Sequence, residues 1–178
     1  TGSGESPAGG PPPPITVMLV SRMLWDKGVR EFIDAARQLH AQGLDARFVL
    51  VGEPDSANPA SIPLARLHEW HGQHGIEWWG RREDMPAVWR QAHIACLPSY
   101  REGLPKSLLE AAACGLPLVT TDAPGCREVV TDADNGFLVP IRNAEALAVA
   151  QEKLIRDPEL RRHMGQRSRA RALAEFSQ

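Results

Sequence analysis

The sequence predicts an α/β domain built on a doubly wound, Rossmann-like parallel sheet with helices on both faces. Two observations carry that reading. Short β-rich runs alternate with helical patterns along the chain, and runs such as Val17-Met18-Leu19-Val20 and Phe48-Val49-Leu50-Val51 are apolar at every position. A strand covered by helices on both sides needs apolar residues on both faces, which is the signature of a parallel sheet rather than a half-exposed antiparallel one.

The elements follow in order. Residues 1–14 are rich in Gly, Ser and Pro and end in four consecutive prolines, which exclude a helix or a central strand; this stretch is expected to be a disordered linker or an added remnant. Such a linker running straight into a core strand reads as a junction between domains of a longer protein, leaving 15–178 as one domain. Strands are predicted at Ile15–Val20, Arg47–Val51, Ile76–Trp79, His93–Leu97, Pro117–Thr121 and Gly136–Pro140. Helices are predicted at Val29–Ala41, Ile62–His74, Met85–Gln91, Pro105–Cys114, Ala144–Arg156 and Glu159–Ala174, with a short helical turn at Cys126–Val130. Ligands of such sheets bind beyond the carboxyl ends of the strands, where the strand order reverses, so the segments after Val20, Val51, Trp79, Leu97 and Thr121 are where chemistry is expected.

Composition narrows the function. With 178 residues and 43% of them hydrophobic, the chain can bury a substantial core. A net charge of -2, from 20 basic and 22 acidic residues, gives no field to draw nucleic acid or an anionic membrane, so any phosphate must be held locally. No apolar run approaches the roughly 18 residues of a membrane span, and no signal-peptide pattern opens the chain. Cys96, Cys114 and Cys126 have neither paired nor metal-ligand spacing and read as reduced structural thiols of a cytosolic protein. His68, His71 and His74 recur every third residue, a spacing that drifts around a helix with no fourth ligand to complete a set, so no metal site is expected. The glycines near the N-terminus imitate a dinucleotide fingerprint, but no strand precedes them and prolines follow. Of Trp78 and Trp79, one ring is expected in the core, and Arg156, Arg161 and Arg162 are expected on a solvated helix face.

Two segments carry chemistry. In the run from Pro98 to Pro117, Pro105 suits the first turn of a helix and Gly115 and Pro117 mark its end, so free first-turn amides face the strand ends. With the positive end of the helix dipole they can hold a phosphate or sugar hydroxyl without any excess of basic side chains. Glu110 stands among Leu108, Leu109, Ala111, Ala112 and Ala113, and a carboxylate in such surroundings needs a partner. That partner is either a pair of ligand hydroxyls or a neighbouring group such as Arg127. Glu102, in the preceding loop, is a site residue, a solvated charge or a cap. The second segment, from Ser21 to Gly28, offers Arg22 as a planar fork and Lys27 as a point charge to a diphosphate; in the bland reading Asp26 caps the next helix and pairs with one of them.

In order along the chain, Ser21-Arg22 with Lys27-Gly28, Val49-Leu50-Val51-Gly52, Trp79-Gly80, Leu97-Pro98-Ser99, Glu102 to Glu110, Gly115-Leu116-Pro117, Asp122-Ala123-Pro124-Gly125 and Asn135 to Pro140 form a series. This series resembles the C-terminal domain of glycosyltransferase family 4, which has the GT-B fold, over Ile15 to about Gly165. Trp25-Asp26-Lys27-Gly28, Asn58 to Pro63 and Glu102 to Ser107 resemble the bacterial branch that makes lipopolysaccharide, capsule or lipid-linked oligosaccharide.

The resemblance implies a retaining transferase and assigns parts to these positions. The two glutamates with seven residues between them match the donor signature, Glu110 for the ribose hydroxyls and Glu102 beside the donor sugar. Arg22 and Lys27 match the basic pair on the diphosphate, joined by the stretch Gly103, Leu104, Pro105, Lys106 and Ser107. Gly80 and Arg81 lie where the base is contacted, largely through backbone. The donor implied is a nucleotide-sugar, a UDP-sugar such as a UDP-N-acetylhexosamine, acting as substrate with no cofactor or metal. The acceptor, a glycan or lipid-linked sugar, and any membrane attachment at the cytoplasmic face belong to the N-terminal half that this chain lacks, so the fragment is expected to bind donor weakly and transfer negligibly. Two alternatives keep the fold. A non-catalytic nucleotide-sugar-binding module would retain Glu110 while losing Arg22, Lys27 or Glu102, and a nucleotide-sugar 2-epimerase would lack the motif series.

Overall fold

The computed structural model describes residues 13–175. The expected linker therefore lies almost wholly outside the described residues. Six strands, β1 (Ile15–Val20), β2 (Ala46–Val51), β3 (Ile76–Trp78), β4 (Ile94–Leu97), β5 (Leu118–Thr121) and β6 (Gly136–Val139), form one sheet in the order β3-β2-β1-β4-β5-β6, with every pairing parallel. The predicted fold class is the observed one. Strands β4 and β5 are buried at every position, and β1 and β2 at nearly every one, as their apolar runs require.

Among the described residues, seven helices connect and cover the sheet: α1 (Val29–Ala41), α2 (Leu64–Trp70), α3 (Met85–Trp89), α4 (Lys106–Ala113), α5 (Pro124–Arg127), α6 (Ala144–Arg156) and α7 (Pro158–Glu175). Strand order runs one way from β1 to β3 and the other way from β4 to β6. Right-handed crossovers therefore place α1 and α4 on opposite faces, where α1 packs against α6 and α4 against α7. Helix α1 reaches the core with Val29, Phe32, Ile33, Ala36 and Leu39, a three-and-four spacing that puts them on one stripe. The Phe32 ring meets Phe48 of β2 edge-on at 5.9 Å, and burying one such side chain stabilises by roughly 1.5–3 kcal/mol.

The differences from expectation have local causes. Helix α2 begins after Pro63 and stops at Trp70 instead of running to His74, because Gly72 and Gly75 adopt positive φ and Gly72 turns back to bond Ile76. His71 then accepts a bond from the Trp78 amide at 3.0 Å, His68 meets the Trp78 ring, and His74 meets His40, so the three histidines serve three separate contacts. Helix α5 starts two residues early, at Pro124, whose fixed φ suits a first helical turn. Neither Trp78 nor Trp79 is a core ring: both are half-buried, Trp78 donating to the Gly52 carbonyl at 2.8 Å and Trp79 lying under Arg47 and Arg82. Arg161 is not on a solvated face either. It donates to the carbonyls of Leu154 and Ile155 at 2.7 and 2.8 Å, closing the C-terminus of α6, and burial lowers its pKa.

No helix among the described residues is long and apolar enough to cross a membrane.

Candidate functional site

The strand order reverses between β1 and β4, so the crevice of this sheet opens where Val20 and Leu97 end. Both residues line a cavity of about 470 Å³ there, together with Arg22, Lys27, Glu102, Leu104, Pro105, Lys106, Ser107 and Glu110. Eight of the residues singled out from the sequence thus share one wall-to-wall space. An adjoining cavity of about 500 Å³ shares Val20, Ser21, Arg22 and Met85 with it and contains Arg81. Two predicted residues stand differently. Gly80 shapes the turn after β3, with φ 71° and its carbonyl accepting from the Gly52 amide at 2.7 Å. The Gly103 carbonyl backs onto Gly125.

The basic pair arises from the turn after β1. A one-turn 3-10 helix, Trp25–Lys27, ends at Gly28 with φ 78°, a left-handed position that also presses against the Pro98 carbonyl, where an added Cβ would sit 1.9 Å away. Only glycine meets both demands. Lys27 then points at Glu102 and bonds its Oε1 at 2.8 Å, while Arg22 bonds Asp55 Oδ2 at 2.9 Å. The bland reading of Asp26 does not hold. Asp26 neither caps α1 nor pairs with either cation, and its Oδ1 is buried without a hydrogen-bond partner among the described residues.

Helix α4 supplies the opposite wall. Its N-cap is Pro105, one residue later than expected for the first turn, with no side chain capping it. The Lys106 and Ser107 amides bond no backbone carbonyl among the described residues, and both residues line the cavity at the positive end of the helix. Glu110 is half-buried one turn on, and its carboxylate has no side-chain partner among the described residues; Arg127, the alternative partner, bonds Asp122 at 2.9 Å instead.

The loop that carries Glu102 is braced by residues that the sequence reading left without a role. The Tyr100 amide and the Ser99 hydroxyl both donate to the Asp26 carbonyl, at 2.9 and 3.2 Å, tying the Glu102 loop to the Lys27 turn. The Tyr100 hydroxyl donates to the Glu31 carboxylate at 2.7 Å, and burial beside that carboxylate pushes its pKa up to about 12. Gly125 packs so closely that an added Cβ would lie 1.8 Å from the Gly103 carbonyl. The only signals for these parts were the motif positions of Ser99 and Gly125, since their contacts span distant segments; Tyr100 had none.

Two cations, two carboxylates and a helix N-terminus at the switch point of a doubly wound sheet define a Rossmann-like α/β domain equipped for an anionic, hydroxyl-bearing ligand. The chain belongs to the family described as glycosyl transferases group 1, whose family model matches residues 7–171. It is 36% identical over 157 residues to the N,N'-diacetylbacillosaminyl-diphospho-undecaprenol alpha-1,3-N-acetylgalactosaminyltransferase of Campylobacter jejuni, covering 88% of this chain and 40% of that protein. It is 31% identical over 164 residues to the alpha-D-kanosaminyltransferase of Streptomyces kanamyceticus, covering 90% of this chain and 42% of that protein. Among solved structures, HepE of Anabaena in complex with UDP superposes with a TM-score of 0.81 at 25% identity, over 92% of this chain and 45% of HepE. The chain therefore spans about two fifths of the length of the curated relatives it matches.

Proposed function

We propose that this chain is the donor-binding half of a retaining, family 4 glycosyltransferase of the GT-B type that uses a UDP-sugar. The observation that carries the reading is the convergence of Arg22, Lys27, Glu102, Glu110 and the first turn of α4 on one cavity at the switch point. The UDP bound in HepE supports the nucleotide, and the N-acetylgalactosaminyl transfer named for the Campylobacter relative supports an N-acetylhexosamine and a lipid-linked acceptor.

In this reading each group meets one part of the donor. Arg22, Lys27 and the amides of Gly103, Leu104, Lys106 and Ser107 take the diphosphate, Glu110 accepts from the ribose hydroxyls, Glu102 lies beside the sugar, and the turn at Gly80-Arg81 borders the base. Lys27 has three N–H donors, so its bond to Glu102 leaves two for phosphate oxygens. As the bond from the anomeric carbon to the diphosphate oxygen breaks, negative charge builds on the departing nucleotide, and two cations with a helix terminus stabilise it where they stand. That charge complement is what a divalent metal supplies in other transferases, and so no metal is assigned. The acceptor oxygen bonds the same face of the anomeric carbon, and its proton passes to the departing phosphate oxygen. No protein base is required from this chain. The acceptor, and any attachment to the inner face of a membrane, belong to polypeptide outside these residues.

Calorimetric titration with UDP- and GDP-sugars tests the reading. Weak binding of UDP-sugars is expected, lowered about tenfold or more by Arg22→Ala or Lys27→Ala, with negligible transfer by the chain alone. Unaltered binding in both variants would reject the diphosphate assignment, and efficient turnover by the chain alone would reject the half-site.

A further inference from the structure

Arg22 is the more exposed of the two cations, with 59% of its side chain open to solvent, and a long arginine in that position samples many rotamers unless something holds it. Asp55 holds it. Asp55 lies in the loop between β2 and α2, and its two carboxylate oxygens have different duties: Oδ2 accepts from Arg22 Nη1 at 2.9 Å, and Oδ1 accepts from the Ala57 amide at 3.2 Å. The Asp55 amide is itself held by the Ser61 hydroxyl at 2.9 Å. The carboxylate is therefore fixed at its backbone and at both oxygens.

The loop that carries Asp55 is laced to the backbone on either side of Arg22. Met23 donates to the Glu53 carbonyl, Trp25 to the Ala60 carbonyl, and Ile62 back to the Met23 carbonyl, each at 2.9 Å. Gly52, where the loop begins, approaches the Ser21 carbonyl so closely that an added Cβ would stand 1.7 Å from it. Base and tip of the Arg22 side chain are thus referenced to one rigid unit. An exposed ion pair contributes little to stability, so this construction is better explained by the placement it gives the guanidinium than by the bond energy.

We propose that Asp55 is a positioning residue for the donor diphosphate, acting through Arg22: it fixes one edge of the guanidinium so that the remaining N–H donors face the cavity before donor arrives. This rests on the donor-site reading above. Holding the fork in advance removes the ordering entropy that binding would otherwise have to overcome. The sequence run from Glu53 to Ser61 thereby acquires a role in the site although Asp55 does not line the cavity that holds Lys27 and Glu110.

Asp55→Asn separates the two duties, since an asparagine oxygen still accepts from Ala57 while its amide presents a donor to Arg22 in place of an acceptor. The test combines two readouts on the whole chain with UDP as probe. In ¹⁵N spectra the Arg22 guanidinium signal, assigned by its loss in Arg22→Ala, is expected to be resolved and slow to exchange in the wild type and averaged in Asp55→Asn. By calorimetry, Asp55→Asn is expected to weaken UDP binding about three- to tenfold, Arg22→Ala about tenfold, and the double variant no more than Arg22→Ala alone. The melting temperature of Asp55→Asn is expected to stay within about 3 °C of wild type. An unchanged Arg22 signal in Asp55→Asn, undiminished UDP affinity, or additive losses in the double variant would each overturn the proposal. If Asp55→Asn releases the Arg22 signal while Arg22→Ala itself leaves UDP affinity intact, the diphosphate assignment of Arg22 is what has failed, and the proposal falls with it.

Discussion

Lys27 and Glu102, 75 residues apart in sequence, form an ion pair of 2.8 Å across the mouth of the switch-point crevice, with 20% and 11% of their side chains exposed. The pair is sheltered enough that removing either partner strands a charge. Lys27→Ala and Glu102→Ala are each expected to lower stability by about 1–3 kcal/mol in denaturant melts, whereas Lys27→Met with Glu102→Leu, which removes both charges and keeps apolar bulk, recovers most of that loss. Binding separates the partners. Lys27→Ala weakens UDP about tenfold or more, while Glu102→Gln, which frees the ammonium from a competing anion, leaves UDP binding as tight as wild type or up to about threefold tighter. A Glu102→Gln chain that lost UDP affinity as Lys27→Ala does would show that Glu102 holds the nucleotide itself.

Gly125 shapes the site without lining it. An added Cβ would stand 1.8 Å from the Gly103 carbonyl and 2.4 Å from that of Glu102, and both obstacles are backbone, which cannot rotate aside. Gly125→Ala is therefore expected to push the Glu102 loop outward and lower stability by about 1–3 kcal/mol, with overpacking as the cause. UDP-sugar affinity should fall in calorimetry more than affinity for UDP, because the displaced loop carries the residue assigned to the sugar. Wild-type behaviour on both measures would show that the loop accommodates the methyl group.

These cases show which parts were legible in the sequence. Strand and helix positions were, because alternating apolar runs and Pro or Gly punctuation are local signals: α1 and α6 fall at their predicted bounds, α3, α4 and α7 differ by one or two residues at their ends, and α2 and α5 are displaced further, by turn glycines and a first-turn proline. The gathering of Arg22, Lys27, Glu102 and Glu110 was legible because the switch-point rule turns fold class into location. Pairing was not. Lys27 with Glu102, Arg22 with Asp55 and Tyr100 with Glu31 join segments brought together only by β-strand order, and no spacing along the chain encodes them. The role of Arg161 was hidden for a different reason: its bonds are local, six and seven residues back, but its surface-like sequence context gives no sign that the side chain folds over the end of α6.

Thiol chemistry distinguishes the three cysteines. Cys96 is buried in β4 and its pKa is pushed up to about 12 by burial, and Cys126 is buried and shifted upward for the same reason, so neither presents thiolate to solvent. Cys114 is exposed at the end of α4. A thiol reagent is therefore expected to label Cys114 alone in the folded chain at neutral pH and all three in denaturant, as read by intact mass. Equal labelling of Cys96 in native buffer would mean that β4 opens far more often than a central strand should.

His93 gives the fold a defined response to acid. Its Nδ1 accepts from the Thr16 amide at 2.9 Å at the amino end of β1, and burial, with the nearby Arg161 and Arg47, lowers its pKa from the ordinary 6.5. The bond needs that nitrogen unprotonated. The unfolded chain takes up the proton near pH 6.5 and the folded chain only below it, so the stability linked to His93 is full above the ordinary value and is lost as pH falls through the folded one. Melts between pH 7.5 and about 5 should show wild type losing stability more steeply than His93→Gln, whose side-chain oxygen can accept from the Thr16 amide without titrating. Parallel curves for the two chains would show that His93 has the same proton affinity folded and unfolded.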